Sequence, residues 1–153
     1  MKLKENKDFV NKKAKHEFSF LYTIEAGIML QGTEIKSIRM GKVNMSDAYC
    51  IIKKGELFVN NIHISEYKYG TYNNHEPKRP RKLLVKKIEL KKLHTKVKEK
   101  GFTIVPYRLF ISDRGFAKLE IALAKGKKDF DKRHSLKEKD AKRDMDRSLK
   151  NYS

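Results

Sequence analysis

The sequence predicts a mainly β fold with flanking helices, an α+β domain whose antiparallel sheet closes into a small barrel. Two observations carry this. Apolar and polar residues alternate over short runs that follow one another in hairpin order, with no repeated βαβ spacing. Two other segments switch to helical spacing, so helices are expected to pack on the barrel. The chain has 153 residues. It divides into a flexible basic N-terminal arm (1–14), a barrel domain (15–125) and a basic C-terminal tail (126–153). The middle part is long enough for one core without metal or disulfide.

The arm is polar and rich in Lys and Asn. In "HEFSFLYTIEAGIML", Phe18, Phe20, Tyr22 and Ile24 share one face, while Glu17, Ser19, Thr23 and Glu25 mostly share the other, the pattern of a half-buried strand. Gly27 marks a bulge or bend. "GTEIKSIRMGK" predicts a helix near 33–40. Thr33 suits its N-cap, Glu34 its positive first turn, Arg39 its negative last turn, and Gly41 the left-handed stop. "DAYCIIKKGELFVNNIHIS" predicts two strands joined around Lys53-Lys54-Gly55-Glu56.

"YKYGTYNNHEPKRPRK" is expected to be a loop, broken by Gly70, Pro77 and Pro80, in which aromatic residues alternate with basic ones. "LVKKIELKKLHTKVKEKG" predicts a helix near 86–100 with Leu90, Leu93 and Val97 inward. The last segment, "FTIVPYRLFISDRGFAKLEIALAKG", predicts a hairpin. Val105, Tyr107, Leu109 and Ile111 face the core from one strand, and Ala117, Leu119, Ile121 and Leu123 from the other. Pro106 cannot donate to a ladder, so it belongs at an edge or bulge.

Thirty-seven Lys and Arg against nineteen Asp and Glu leave a formal charge of +18. Such a field concentrates polyanions, and nucleic acid is the expected partner. Lys and Arg neutralise phosphates, while Tyr and Phe stack on unpaired bases. No helix-turn-helix or zinc-finger pattern is evident, which favours RNA or single strands over duplex DNA.

Catalytic chemistry finds no support. His16, His63, His75, His94 and His134 are scattered with no pair at the spacing of a zinc site, and the single cysteine, Cys50, cannot complete a thiolate cluster. At about 3.3 Å per residue, Glu17 and Glu25 stand about 26 Å apart in a strand, too far for paired acid–base work. We expect no enzyme, cofactor or metal. The N-terminus lacks the apolar run of a signal peptide, and no stretch approaches the about 18 apolar residues of a span. A soluble, cytoplasmic protein without a membrane partner is expected.

Particular strings go further. "NKKAKHEF", "EAGIMLQGTEIKSIRMGKVNMSDAY", "RPRKLL" and "AKGKKDFDKR", in this order, resemble the SsrA-binding protein family, also called small protein B, from about Asn11 to the C-terminus. The resemblance implies an oligonucleotide-binding-type β-barrel, monomeric when free. It implies an adaptor that binds the tRNA-like part of transfer-messenger RNA and brings it to bacterial ribosomes stalled on messages without a stop codon. A translation elongation factor would be met indirectly, through the RNA.

Residue by residue, the resemblance implies RNA-binding roles for Asn11, Glu25, Leu84 and Lys118. Lys86 stands where the family usually has asparagine or histidine, which keeps a donor and adds charge. In the tail, Gly126, Lys127, Lys128, Asp131, Lys132 and Arg133 fit the family motif, and Phe130 replaces a usual tyrosine or histidine. The family's tail is disordered when free and helical in the empty message channel near the decoding centre. Here Ala141, Met145, Leu149 and Tyr152 form a narrow helical stripe that is marginal alone in water and suited to coupled folding. A general single-strand or ribosome-associated chaperone is the other reading, and it needs no tail motif.

Overall fold

In the computed structural model, which describes residues 8–70, 72–99 and 101–127, twelve elements follow one another. They are β1 (Asp8–Val10), α1 (Lys12–Glu17), β2 (Phe18–Ile28), α2 (Gly32–Arg39), β3 (Val43–Asn44), β4 (Tyr49–Lys53), β5 (Glu56–Asn60), β6 (His63–Ile64), β7 (Arg81–Leu84), α3 (Lys87–Val97), β8 (Phe102–Ile111) and β9 (Ala117–Gly126). Seven strands form one antiparallel sheet in the order β1-β8-β4-β5-β7-β2-β9, and β8 also pairs with β9. That last pairing closes β8, β4, β5, β7, β2 and β9 into a barrel, with the short β1 added along β8. β3 and β6 make a separate small ribbon.

The barrel interior holds Leu57, Val59, Leu83, Ile104, Leu109, Leu119, Ile121 and Leu123, all nearly or fully buried. Leu93 of α3 and Ile38 of α2 join this core from outside the sheet. The β4–β5 hairpin turns at Lys54 and Gly55, both at positive φ (51° and 74°), as a two-residue turn matched to strand twist requires. Gly41 (φ 78°) follows the end of α2 as expected. The N-cap of α2 is Gln31 rather than Thr33. Glu34 accepts from the Gln31 N–H at 2.7 Å, and Thr33 is turned to His75 at 2.9 Å.

Two bulges correct the expected faces. In β2 the register shifts between Phe20 and Tyr22. One extra residue reverses the side-chain parity. Tyr22 and Ile24 therefore pack on the barrel core, while Phe18 and Phe20 join Ala14, Val105, Ala122 and Ala124 in a second cluster. In β8 the shift falls between Pro106 and Arg108, so the proline sits at a bulge. Ile104 and Leu109 enter the main core, and Val105 packs in the second cluster.

Two further expectations are corrected. Residues 8–14, expected within an irregular arm, instead form β1 and the first half of α1. β1 pairs with β8, and Ala14 is buried. Residues 81–84, expected partly in the loop, form β7. This strand bridges β5 and β2, and without it the sheet could not close.

Candidate nucleic-acid interface

Strand register brings distant residues into one row on the outer wall of the barrel. Phe110 of β8 is opposite Lys118 of β9, Lys118 is opposite Gly27 of β2, and Gly27 is opposite Leu84 of β7. Their neighbours in sequence, Leu109, Leu119, Ala26, Ile28 and Leu83, are buried, so strand alternation turns this row outward. A second row lies two residues along: Arg108 opposite Glu120, and Glu120 opposite Glu25. Three of the residues read from the sequence, Glu25, Leu84 and Lys118, are thus on one face.

The face is mixed in charge and shape. Leu84 is 53% exposed, too open for a core residue. Gly27 leaves a gap beside it, and a Cβ there would stand 3.4 Å from the Leu84 Cβ. Lys118 and Glu25 take part in no ion pair among the described residues. Arg108 donates from Nε to Glu120 and from Nη1 to Asp8, both at 3.0 Å. Its guanidinium lies 4.2 Å from the centre of the Phe110 ring. The stack and the two carboxylates hold that group flat against the wall. A phosphate can meet Lys118, a base or ribose can lie against Leu84 and Phe110, and Glu25 can accept from a base amino group or a 2′-hydroxyl. Arg108, Phe110 and Glu120 escaped the sequence reading. The register of the last hairpin was the signal that could have found them.

Asn11 belongs to the fold instead of this face. It is only 5% exposed. Its Oδ1 accepts from the Ala14 N–H at 3.2 Å, and its Nδ2 donates to the carbonyls of Met45 (3.0 Å) and Pro106 (3.1 Å). The first bond caps α1, and the last satisfies a carbonyl beside the β8 bulge. Both its amide groups are thus engaged within the fold, and it lies apart from the row that holds Glu25, Leu84 and Lys118. Lys86 is exposed at the N-cap of α3, two residues beyond Leu84. A cation there faces the positive helix end, an unfavourable choice for the helix itself.

A buried ion network fixes the approach to β7. Glu34 and Arg81 are both fully buried and paired, and Arg79 also donates to Glu34. Arg81 extends to the carbonyls of Ile62 (2.7 Å) and Pro77 (3.0 Å). Burial alone pushes the Glu34 carboxyl up. Hydrogen bonds from Arg79, the Gln31 N–H and Arg81, with the charge of Arg81, outweigh it and hold the group below its ordinary value. Cys50 is buried inside the barrel, and desolvation pushes its thiol far above the ordinary range. It has neither the exposure nor the acidity of a nucleophile. Among the described residues no cluster of metal-ligating side chains gathers.

Elsewhere, an open cleft of about 680 Å³ lies between β2 and α3, apolar at Tyr22, Ile24 and Ile88 and rimmed by Lys91, Lys92 and Lys96. At the far end of the barrel, Gly126 closes β9 opposite Phe18, and the Lys127 N–H donates to the Glu17 carbonyl at 2.9 Å. Lys128, Phe130, Asp131, Lys132 and Arg133 lie outside the described residues, as does the expected helical stripe from Ala141 to Tyr152.

Comparison with known proteins is decisive. A family model for the SmpB protein matches residues 9–151. The chain belongs to the SmpB family. Among its SmpB relatives, an SsrA-binding protein of Phocaeicola vulgatus is 59% identical over 140 residues, covering 92% of this chain and 93% of the relative. One of Parabacteroides distasonis is 53% identical over 149 residues, covering 97% of each. The solved structure "tmRNA-SmpB: a journey to the center of the bacterial ribosome" holds a similar chain. It is 44% identical, with a TM-score of 0.68, and the match covers 80% of this chain and 85% of that one. The barrel described above is therefore the SmpB fold.

Proposed function

We propose that this chain is the RNA-binding adaptor of trans-translation. It binds the tRNA-like domain of transfer-messenger RNA and delivers it to stalled bacterial ribosomes, where its tail enters the empty message channel. Membership of the SmpB family supports the partner. The observation that carries the mechanism is the strand register, which collects Glu25, Leu84 and Lys118 with Arg108 and Phe110 on one outer face. Lys118 supplies the phosphate contact, Leu84 and Phe110 the apolar surface, and Glu25 an acceptor that rejects phosphate and so orients the RNA. Lys86 adds a flanking cation.

This work is binding rather than catalysis, needs no cofactor and takes place in the cytoplasm. No described helix is long and apolar enough to cross a membrane. The geometry also suits a two-ended adaptor. From Lys118 to Gly126, β9 extends about 26 Å at roughly 3.3 Å per residue. The tail residues Gly126, Lys127, Lys128, Phe130, Asp131, Lys132 and Arg133 thus begin at the end of the barrel away from the RNA face, and they serve as the ribosomal anchor.

Deletion of residues 128–153, which leaves β9 intact, tests the division of labour. RNA binding is expected to survive and peptide tagging on stalled ribosomes to be lost. Equal loss of both activities would favour a general chaperone.

A further inference from the structure

The loop between β6 and β7 is built with more care than a connection needs. Tyr67 and Gly70 close a tight turn, with the Gly70 N–H donating to the Tyr67 carbonyl at 2.9 Å. Asn74 clamps the same residue from the other side. Its Oδ1 accepts from the Tyr67 N–H (3.0 Å) and the His75 N–H (3.2 Å), and its Nδ2 donates to the Tyr67 carbonyl (2.9 Å). A Cβ on Gly70 would stand 2.6 Å from Asn74 Nδ2 and 3.2 Å from the Tyr67 carbonyl oxygen, so any larger residue would displace the Asn74 amide from its clamp. His75, almost fully buried, anchors the loop to Thr33 (2.9 Å) and to the Ile64 carbonyl (2.8 Å).

What this scaffold displays is aromatic and basic. Tyr69 is 69% exposed and Tyr72 99% exposed. Tyr67 meets Tyr69 edge to face at 5.5 Å, which fixes the Tyr69 ring while leaving it open to solvent. Lys36 lies 5.4 Å from the Tyr67 ring centre, and Lys68 lies 5.7 Å from that of Tyr69. Exposed rings on a loop tied down by partly buried side-chain hydrogen bonds are not explained by packing, since they pack on little. Rings beside ammonium groups suit a flat, electron-rich base on an anionic strand. The loop runs directly into β7, whose last residue is Leu84 of the RNA face.

We propose that Tyr69 and Tyr72 form a stacking site for unpaired nucleobases of RNA, with Lys36 and Lys68 meeting the adjoining phosphates. This site is separate from the outer-wall face but rests on the RNA-binding reading. The test is fluorescence anisotropy of the full chain with a labelled octauridylate and with a blunt RNA duplex of equal length, at about 0.1 M salt. Tyr69→Ala with Tyr72→Ala is expected to weaken octauridylate binding about tenfold or more and to change duplex binding less than twofold. Tyr69→Phe with Tyr72→Phe should retain near-native affinity, because the ring does the work. Lys118→Ala separates the two readings: it should weaken the tRNA-like domain while the tyrosine effect on octauridylate persists. Unchanged octauridylate binding by the alanine variant, equal loss on the duplex, or failure of the phenylalanine variant to bind would overturn the proposal. The first result would leave the loop to a protein partner.

Discussion

Lys118 and Leu84 face each other across a strand that has no side chain between them, because each is the direct partner of Gly27. Adjacent strands are about 4.8 Å apart, so the two backbones are about 10 Å apart with a shallow floor between. Ala at position 27 makes ordinary contact with Leu84 and reduces unfolded-state freedom. Gly27→Ala should therefore leave stability unchanged or raise it by about 0.4–1 kcal/mol. Gly27→Val fills the floor with a residue that strands favour. Thermal denaturation is expected to show a stable fold, and RNA titration a loss of about tenfold. Native affinity in a folded Gly27→Val protein would show that the RNA does not use this hollow.

Asn11 separates a structural role from a contact role. Asn11→Ala removes a helix cap and the side-chain donor to the Pro106 and Met45 carbonyls, of which Met45 keeps its bond from the Ala48 N–H. The expected cost is about 2–3 kcal/mol in denaturant unfolding. Asn11→Asp keeps the capping acceptor but not the donors, so it should rescue only part of that loss. Affinity per folded molecule should stay native in both. A well-folded Asn11→Ala protein that had lost RNA binding would reverse the assignment.

The Glu34–Arg81 pair makes a pH-dependent prediction. The folded Glu34 value is depressed, so its contribution is fully present above the ordinary glutamate value of about 4.3. It is lost as pH falls through that range toward the lower folded value. Glu34→Gln leaves Arg81 buried without its counter-charge, a change that costs about 3–5 kcal/mol near neutral pH. Denaturant unfolding from pH 7 downward should show this gap, narrowing below about pH 4 as wild-type Glu34 takes up its proton. A gap that widened with acid would contradict the sign.

Much of the barrel was legible because its long elements obey simple periods. The hairpins at Lys54-Gly55 and at Ser112–Gly115, and the helix carrying Leu90, Leu93 and Val97, follow alternation or helical spacing directly. The errors came where one residue changes parity or where pairing alone defines an element. A bulge at Leu21 has no sequence mark, yet it turned Phe18 and Phe20 from the main core to the cluster under α1. β7 is four residues wedged between Pro80 and a helix. Its strand state comes from β5 and β2 on either side, not from its own pattern. Asn11 followed by "KKAKHE" did carry a capping signal, but the run of lysines hid a helix only six residues long.

The candidate site was half legible. Glu25, Leu84 and Lys118 came from motif resemblance, and only register could show that they meet. Arg108 and Phe110 were invisible until that register placed them opposite Glu120 and Lys118.

The central claim is that the outer wall around Lys118 is the RNA face. The most direct measurement is the salt dependence of affinity for the tRNA-like domain of transfer-messenger RNA, with wild type and Lys118→Ala side by side. One lost phosphate contact should lower the slope of log affinity against log salt by about 0.7–0.9. An unrelated hairpin should bind weakly and respond little to the substitution. An unchanged slope in a folded Lys118→Ala protein, or no preference of the wild type for the tRNA-like domain over that hairpin, would contradict the account.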